Sequence, residues 1–427
     1  MDQTPKKFKV VTLGCRTNQY ESQAYADQLK QLGYETASEN ETADICIVNT
    51  CTVTASADNQ SLHEIRQLAA KNPGTKLVVT GCASEQQPER ILKIGGVTAI
   101  VANKDKESLI SAIFPDLEVP EFAITHFECH TRAFVKVQDG CNSFCTYCII
   151  PYVRGRSRSR TISEVVQEVK GLIANGFKEV VITGINVGDF DGAKPEGEKP
   201  DSLADLMRAV DNIEGLKRLR LSSIDPDEIT DDLLDIIVNG KTTCQSMHIV
   251  LQAGSNVILK RMNRKYTRQV FMESVDRLKA ASPTFSFTTD VIVGFPGETE
   301  ADFNETLAVI NEVQFAKVHM FPYSERQRTR AALMPNKVPP QIIKERKQIV
   351  LRASEQSAFA LQSRYVGQRM LVLTESADEE LIYGHTDNFL KVFIPKGNWQ
   401  SNQILDVELV ENTAKGLRGV VIGSCND

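Results

Sequence analysis

The sequence predicts an α/β protein in three parts: an N-terminal parallel α/β domain over residues 1–120, a partial (β/α)6 barrel over 127–360 and a small β-barrel over 364–427. Three observations lead there. Short apolar runs alternate with helical segments as far as residue 320, the pattern of parallel sheets flanked by helices. A Pro- and Glu-containing stretch, 114–121, interrupts the alternation and reads as a linker. Beyond Leu371 only short β-like runs remain, separated by turn residues.

In the first part, 8–13 reads as a strand and 20–32 as a helix stopped by Gly33. A strand at 44–48 precedes a helix at 56–71, which ends at Asn72-Pro73-Gly74. A strand at 76–80, a helix at 85–93 and a strand at 98–101 complete the unit. In the second part, strands are expected at 133–137, 178–182, 217–221, 246–251, 285–293 and 315–320. Helices are expected at 161–174, 202–212, 227–238, 267–280 and 299–312. Six β/α units instead of eight imply an open barrel. Residues 324–370 are polar and basic, with ten Lys/Arg against three Asp/Glu. The last part shows β-like runs at 370–374, 389–394, 404–410 and 418–422, with turns at Gly384, Pro395-Lys396-Gly397 and Gly416.

Composition narrows the class. Hydrophobic residues make up 41% and charged residues 24% of 427, which suits a globular protein with a real core. A net charge of −6 gives no bulk attraction for nucleic acid, so local charge has to be read. The apolar run Val10, Val11, Thr12, Leu13 is too short for a signal-peptide core, and no span approaches membrane length. A cytoplasmic protein with no membrane partner is the expectation. Its ten cysteines are then better explained by metal binding or catalysis than by disulfides. Cys46, Cys129, Cys244 and Cys425 do not cluster and read as buried or bystander thiols.

The other six fall into two sets. Cys141, Cys145 and Cys148 follow the first strand of the second part with the spacing C-x3-C-x2-C. Three thiolates on one loop can hold three corners of a cubane and leave the fourth iron open, whereas a ferredoxin-type carrier closes each cluster with four cysteines. Zinc would need a fourth ligand; His126 and His130 are the nearest histidines, so a zinc site stays open as an alternative. Cys15, Cys51 and Cys82 are distant in sequence, yet each follows a strand of the first part. Parallel pairing would bring them to one carboxyl edge, where ligand sites form. Gly14, Asn49-Thr50 and Gly81 beside them permit close backbone approach. The alternative is three unrelated buried thiols.

The run Gly140-Cys141-Asn142-Ser143-Phe144-Cys145-Thr146-Tyr147-Cys148, continuing through Ile149-Ile150-Pro151-Tyr152-Val153-Arg154-Gly155-Arg156, resembles the radical S-adenosylmethionine enzymes. Thr12-Leu13-Gly14-Cys15-Arg16-Thr17-Asn18-Gln19-Tyr20-Glu21-Ser22, Val48-Asn49-Thr50-Cys51-Thr52-Val53 and Thr80-Gly81-Cys82-Ala83 resemble the three cluster-binding segments of the methylthiotransferases within that group. Residues 183–188, 248–255, 261–266 and 289–299 resemble later motifs of the same family, with Val250 and Ala253 replacing a more usual Pro and Ser. The terminal β-barrel resembles the RNA-binding TRAM module.

The resemblance implies two 4Fe-4S clusters and S-adenosylmethionine as cofactors. Cys141, Cys145 and Cys148 would hold the radical-generating cluster; Cys15, Cys51 and Cys82 would hold an auxiliary cluster that carries the transferred sulfur. It also implies hydrogen abstraction by a 5′-deoxyadenosyl radical, so no side chain is needed as a nucleophile. Tyr147, Gly184, Asn186, Gln252 and Arg264 would contact S-adenosylmethionine, and Arg16, Asn18, Arg154 and Arg156 the substrate. Implied partners are tRNA, an electron donor such as flavodoxin or ferredoxin, and a sulfur source; a monomer is expected.

Three branches of the family modify isopentenyl-adenosine in tRNA, threonylcarbamoyl-adenosine in tRNA, or an aspartate of a ribosomal protein. The Arg16–Ser22 segment resembles the threonylcarbamoyl branch, which implies methylthiolation at C2 of that adenosine at tRNA position 37. Arg16 could there meet the threonyl carboxylate. A non-catalytic iron–sulfur protein that carries electrons or binds RNA is the distant alternative.

Local charge fits an RNA substrate. Arg154, Arg156, Arg158 and Arg160 alternate, so an extended segment would present them on one side to phosphates; a solvated polar strand is the bland alternative. Arg326, Arg328, Arg330 and Lys344 are further candidates. The last 57 residues carry four Lys/Arg and nine Asp/Glu, so the terminal β-barrel cannot grip RNA by bulk charge. Gly294-Phe295-Pro296-Gly297 lacks any nucleotide-loop pattern and reads as a turn.

Overall fold

The computed structural model describes residues 6–127 and 131–424. Cys129, His130 and Cys425 lie outside them. The first part is a five-stranded parallel sheet in the order Glu35–Thr36, Lys7–Thr12, Ile45–Thr50, Lys76–Gly81, Val97–Ile100. Ile45–Thr50 is buried at every position, as a central parallel strand covered on both faces must be. Alternate residues serve opposite faces. Ile45 and Ile47 pack with Tyr25 and Leu29 of the Arg16–Gln31 helix, while Cys46 and Val48 pack with Leu62 and Ile65 of the Ala55–Lys71 helix.

The edge strand Glu35–Thr36 and the helix Leu109–Ile113 are additional to the expectation, and two expected helices differ from it. The first helix begins at Arg16, not at 20, because Gly14 (φ +93°) turns the chain in one step after the strand and Cys15 caps the helix. The expected 85–93 helix is two short ones, Cys82–Gln86 and Pro88–Leu92. Pro88 disfavours the helical conformation at Gln87 and cannot donate a backbone bond.

The second part has parallel strands in two abutting sheets. One holds Arg218–Leu221, Glu179–Thr183 and Arg132–Lys136; the other holds Ser223–Ile224, Ser246–Ile249, Ser286–Val293 and Lys317–Pro322. Ser222 interrupts one continuous strand between them, and a Leu219–Thr243 bridge spans the seam. The result is an open six-stranded barrel. Its outer helices are Ile162–Ala174, Leu203–Asp211, Asp231–Asn239, Arg268–Ala281 and Glu300–Val313. Thr161, Ser202, Thr230, Thr267 and Thr299 cap them by accepting a backbone N–H from the first turn of each. Residues such as Val135, Val180, Leu219, Ile249 and Val291 point outward into the helix core. By strand alternation Phe134, Lys136, Glu179, Arg220, His248 and Asp290 face the lumen.

The basic stretch contains a 24-residue helix, Pro340–Ser363, which the hydrophobic pattern does not announce. Its buried seam is Arg346, Val350, Ala353, Ser354, Ser357 and Leu361, too rich in polar and small residues to register as an apolar face. A closed five-stranded barrel follows: Arg369–Ala377, Leu381–Thr386, Lys391–Pro395, Gly416–Ser424 and Ile404–Thr413 in spatial order. The second of these occupies the position expected to be a turn at Gly384. That glycine lies within the strand, against the Leu373 carbonyl, where no side chain would fit. This barrel closes the amino-terminal end of the open one. Arg218 donates to the His385 and Leu371 carbonyls (2.8 and 2.7 Å), and Arg220 to the Asp387 carbonyl (2.9 Å).

Candidate active site

The loop carrying Cys141, Cys145 and Cys148 leaves the carboxyl end of the Arg132–Lys136 strand. Gly140 (φ +74°) starts it, and a side chain there would collide with the Arg156 carbonyl. The middle of the loop is pinned from across the barrel. Thr146 N–H donates to the Met262 carbonyl (2.9 Å), its hydroxyl to the Arg261 carbonyl (2.8 Å), and its own carbonyl accepts from Ala331 N–H (2.8 Å). Burial, then the neighbouring Cys145 and Cys141, push the Cys148 thiol up to about 12; burial also raises Cys141. Arg264 Nη1 donates to Cys145 Sγ at 3.0 Å. A cavity of about 260 Å³ opens at Cys145 and Cys148, walled by Phe144, Thr146, Tyr152, Thr329 and Arg330.

Cys15, Cys51 and Cys82 stand at the carboxyl ends of three adjacent parallel strands, in register Thr12–Asn49–Thr80. The packing is close: a side chain at Gly14 would lie 2.6 Å from Cys51 Sγ, and one at Gly81 (φ +95°) would meet the Thr50 backbone. Burial, with contributions from Cys82 and Cys15, pushes Cys51 up to about 11; burial raises Cys82 against the opposing pull of Arg154. Such thiols resist ionisation unless a cationic group sits among them, which is what an iron–sulfur cluster would provide. Among the described residues no three His, Cys, Asp or Glu side chains converge on a point that would suit one metal ion. A cubane that offers each thiolate its own iron makes no such demand. Both sets fit cluster ligation on these grounds.

Between the two sets lies Arg154, fully buried. Its Nε donates to Cys82 Sγ (3.3 Å), its Nη1 to Asp139 (2.8 Å) and Glu21 (3.1 Å), and its Nη2 to the Asn18 carboxamide oxygen. Lys106 adds ion pairs to Asp139 and Glu21 at 2.5 and 2.6 Å, and Lys136 reaches Glu107 at 2.8 Å. Burial opposes ionisation of Glu21, but Lys106, Arg154 and Lys136 together hold it at about 2.

A polar rim follows the strand ends of the open barrel. Gln138 Oε1 accepts from Ile185 N–H and Asn186 N–H (3.0 and 2.9 Å), and a side chain at Gly184 would lie 2.9 Å from that same oxygen. Asn186 donates to Glu228 (2.9 Å), and Arg264 bridges Asp225 and Cys145. Gln252 (φ +61°) has a buried amide oxygen with no hydrogen-bond partner among the described residues. Tyr147 packs edge-on against Phe295, centroids 6.4 Å apart. Burial, then Asp225, push Glu228 up to about 7.

Comparison with known proteins settles the family. A model of an uncharacterized protein family, UPF0004, matches residues 7–103, and one of the radical SAM superfamily matches 135–310. The chain is 48% identical, over 97% of its own length and 98% of the relative's, to a threonylcarbamoyladenosine tRNA methylthiotransferase of Chlamydia pneumoniae. It is 33% identical, over 98% and 99%, to a tRNA-2-methylthio-N(6)-dimethylallyladenosine synthase of Carboxydothermus hydrogenoformans. The chain belongs to the radical S-adenosylmethionine methylthiotransferases. Its fold is shared with the methyltransferase TsrM of Kitasatospora setae, at a TM-score of 0.56 and 12% identity over 77% of each chain.

In this methylthiotransferase several expectations from sequence need correction. Arg154 cannot touch substrate, because it is buried and every nitrogen is engaged. Asn18 is buried too; its amide donates to the Leu13 and Thr50 carbonyls (2.6 and 3.1 Å) and shapes the Cys15 turn instead. The alternating arginines do not form one phosphate-facing row. Arg160 pairs with Glu168 (2.5 Å) and Arg158, though exposed, with Asp139 (3.1 Å), leaving Arg156 exposed over the Phe144 ring at 4.4 Å with no ion pair among the described residues. Arg326 is also internal, bound to Asp58, Thr52 and Gln86 at 2.6–2.8 Å. Asp225 and Glu228 were missed, although Asp225-Pro226-Asp227-Glu228 directly after a strand end was a readable signal. Arg16 keeps access to water while the barrel walls surround it. They, followed by the Arg132 and Arg220 cations, lower its pKa to about 10.

Proposed function

We propose that the protein transfers a methylthio group to C2 of N6-threonylcarbamoyladenosine at position 37 of tRNA. The observation that carries the reaction is the pair of three-thiol sets at two parallel-sheet edges, with the buried Arg154 linking Cys82 of one set to Asp139 at the start of the loop that carries the other. The substrate assignment is supported by the name of the 48% identical relative and by a cation, Arg16, beside the first set. In this reading residues 1–120 carry the auxiliary cluster on Cys15, Cys51 and Cys82, and 127–360 the radical cluster on Cys141, Cys145 and Cys148. Residues 364–427 assist RNA binding.

Bound there, the two 4Fe-4S clusters and S-adenosylmethionine would supply one-electron cleavage chemistry and a transferable sulfur. The chain's own residues do the rest. Three thiolates per set leave one coordination position free for a ligand. Asn186, Asp225, Glu228 and the unpartnered Gln252 amide oxygen offer acceptors to an ammonium and to hydroxyls, while Arg264 orients a carboxylate. Tyr147 and Phe295 line the apolar side and keep water out. The reaction also requires an electron donor, such as flavodoxin or ferredoxin, and a sulfur source. No helix among the described residues is long and apolar enough to cross a membrane. We assign the protein to the cytoplasm, as a monomer.

The test offers purified, reconstituted enzyme two tRNAs, one bearing threonylcarbamoyladenosine and one isopentenyladenosine, and analyses the nucleosides by mass. Methylthiolation of the threonylcarbamoyl tRNA is expected. Modification of the isopentenyl tRNA alone would overturn the substrate assignment.

Electrostatic grip gives a second expectation. Arg328, Arg330 and Lys344 are exposed, unlike Arg326. Replacing those three by Gln should flatten the slope of log affinity for tRNA against log salt, by roughly one unit for each phosphate the protein no longer neutralises. An unchanged slope in filter-binding titrations would mean that this face does not meet the backbone.

A further inference from the structure

We propose that Arg16 is the specificity residue that selects an adenosine carrying a free carboxylate, by receiving that carboxylate inside the open barrel. This inference rests on the threonylcarbamoyl reading above and adds the group that would enforce it.

Arg16 projects from the N-terminal domain into the lumen of the second part, its guanidinium over the Phe134 ring at 5.4 Å. The other lumen arginines have acceptors of their own. Arg132 pairs with Glu375 at 3.0 Å, Arg220 with Glu179 at 2.9 Å, and Arg218 donates to two carbonyls. Asp290 and Glu179 act on the Arg16 charge without pairing with it, and Asp290 lies 3.4 Å from His248 Nε2. Among the described residues no carboxylate or carbonyl accepts from Arg16. It is thus a planar, always-charged donor without an acceptor, in a wall already rich in cations, and an incoming carboxylate would supply what it lacks.

The space matches. Arg16 borders a recess of about 30 Å³ whose other walls include Arg220, Ser246, His248 and Thr288. That recess has room for a carboxylate. The base would stay nearer the cysteine sets while its acidic substituent enters. An apolar isopentenyl substituent in the same place would leave Arg16 without an anion and shut it off from solvent, which disfavours it.

The test compares anticodon stem-loops carrying threonylcarbamoyladenosine as the free acid and as its methyl ester. It measures both the dissociation constant for holoenzyme and methylthiolation. Wild type should bind the acid about ten- to a hundredfold more tightly than the ester, the range for hydrogen bonds to charged groups. Arg16→Gln should abolish that preference by weakening binding of the acid alone, and Arg16→Lys should restore part of it. Iron content and circular dichroism check that each variant folds. Equal binding of acid and ester by wild type would overturn the proposal, as would an undiminished preference in Arg16→Gln. Failure of the substrate reading is a separate result: wild type would then leave the free acid unmodified while modifying another tRNA.

Discussion

Anaerobically reconstituted protein should hold about eight irons per chain, as two four-iron cubanes, and Cys141→Ala/Cys145→Ala/Cys148→Ala should retain about half of them. That variant should release no 5′-deoxyadenosine from S-adenosylmethionine. The two sets are carried by different sheets, so neither should require the other to load. Cys15→Ala/Cys51→Ala/Cys82→Ala should accordingly keep the cleavage reaction, lose the other half of the iron and form no methylthiolated nucleoside. Iron analysis and product chromatography read both. Retained cleavage in the first variant would sink the assignment of the loop, and one zinc in place of four irons would favour the zinc alternative.

The two sets differ in how readily sequence reveals them. Cys141, Cys145 and Cys148 share one loop, so spacing alone displays them. Cys15, Cys51 and Cys82 can be grouped only because the strands before them are readable: Ile45–Thr50 and Lys76–Gly81 are short, apolar and followed at once by the cysteine. What sequence does not supply is the environment of individual charges. Arg154, Arg156, Arg158 and Arg160 look equivalent as a string. The structure ends a helical turn at Val153 and buries only Arg154, which reaches Glu21 and shares Asp139 with the exposed Arg158; both carboxylates come from elsewhere in the chain. Asn18 and Arg326 were misplaced for the same reason, since their partners are tertiary. The helix Pro340–Ser363 was missed because its seam uses Arg, Ser and Ala, so its periodicity is hidden in polar composition.

Arg154 gives the largest stability prediction. Its side chain is fully buried and bridges Glu21, Asp139, Asn18 and Cys82, groups drawn from both parts that carry cysteines. Arg154→Met fills a similar volume but leaves two buried carboxylates with Lys106 and Lys136 as their remaining buried cations. Removing one partner from such a network costs about 3–5 kcal/mol, measured by denaturant unfolding at neutral pH. Arg154→Lys keeps the charge but not the planar fork, so it should forfeit the bonds to Cys82 and Asn18 and fall between the two. The pH dependence identifies the source of the loss. Glu21 titrates at about 2 in the folded protein against an ordinary 4.5. Its contribution is therefore complete above about 4.5 and disappears as pH falls towards 2. Without Arg154 the folded pKa should rise, so the stability gap between wild type and Arg154→Met should narrow as pH falls through that window. A Glu21→Gln background should shrink the gap at neutral pH too, because the two residues are directly coupled. A loss below about 1 kcal/mol with no such coupling would show that Lys106 and Lys136 suffice, and that Arg154 serves only to hold Cys82 in place.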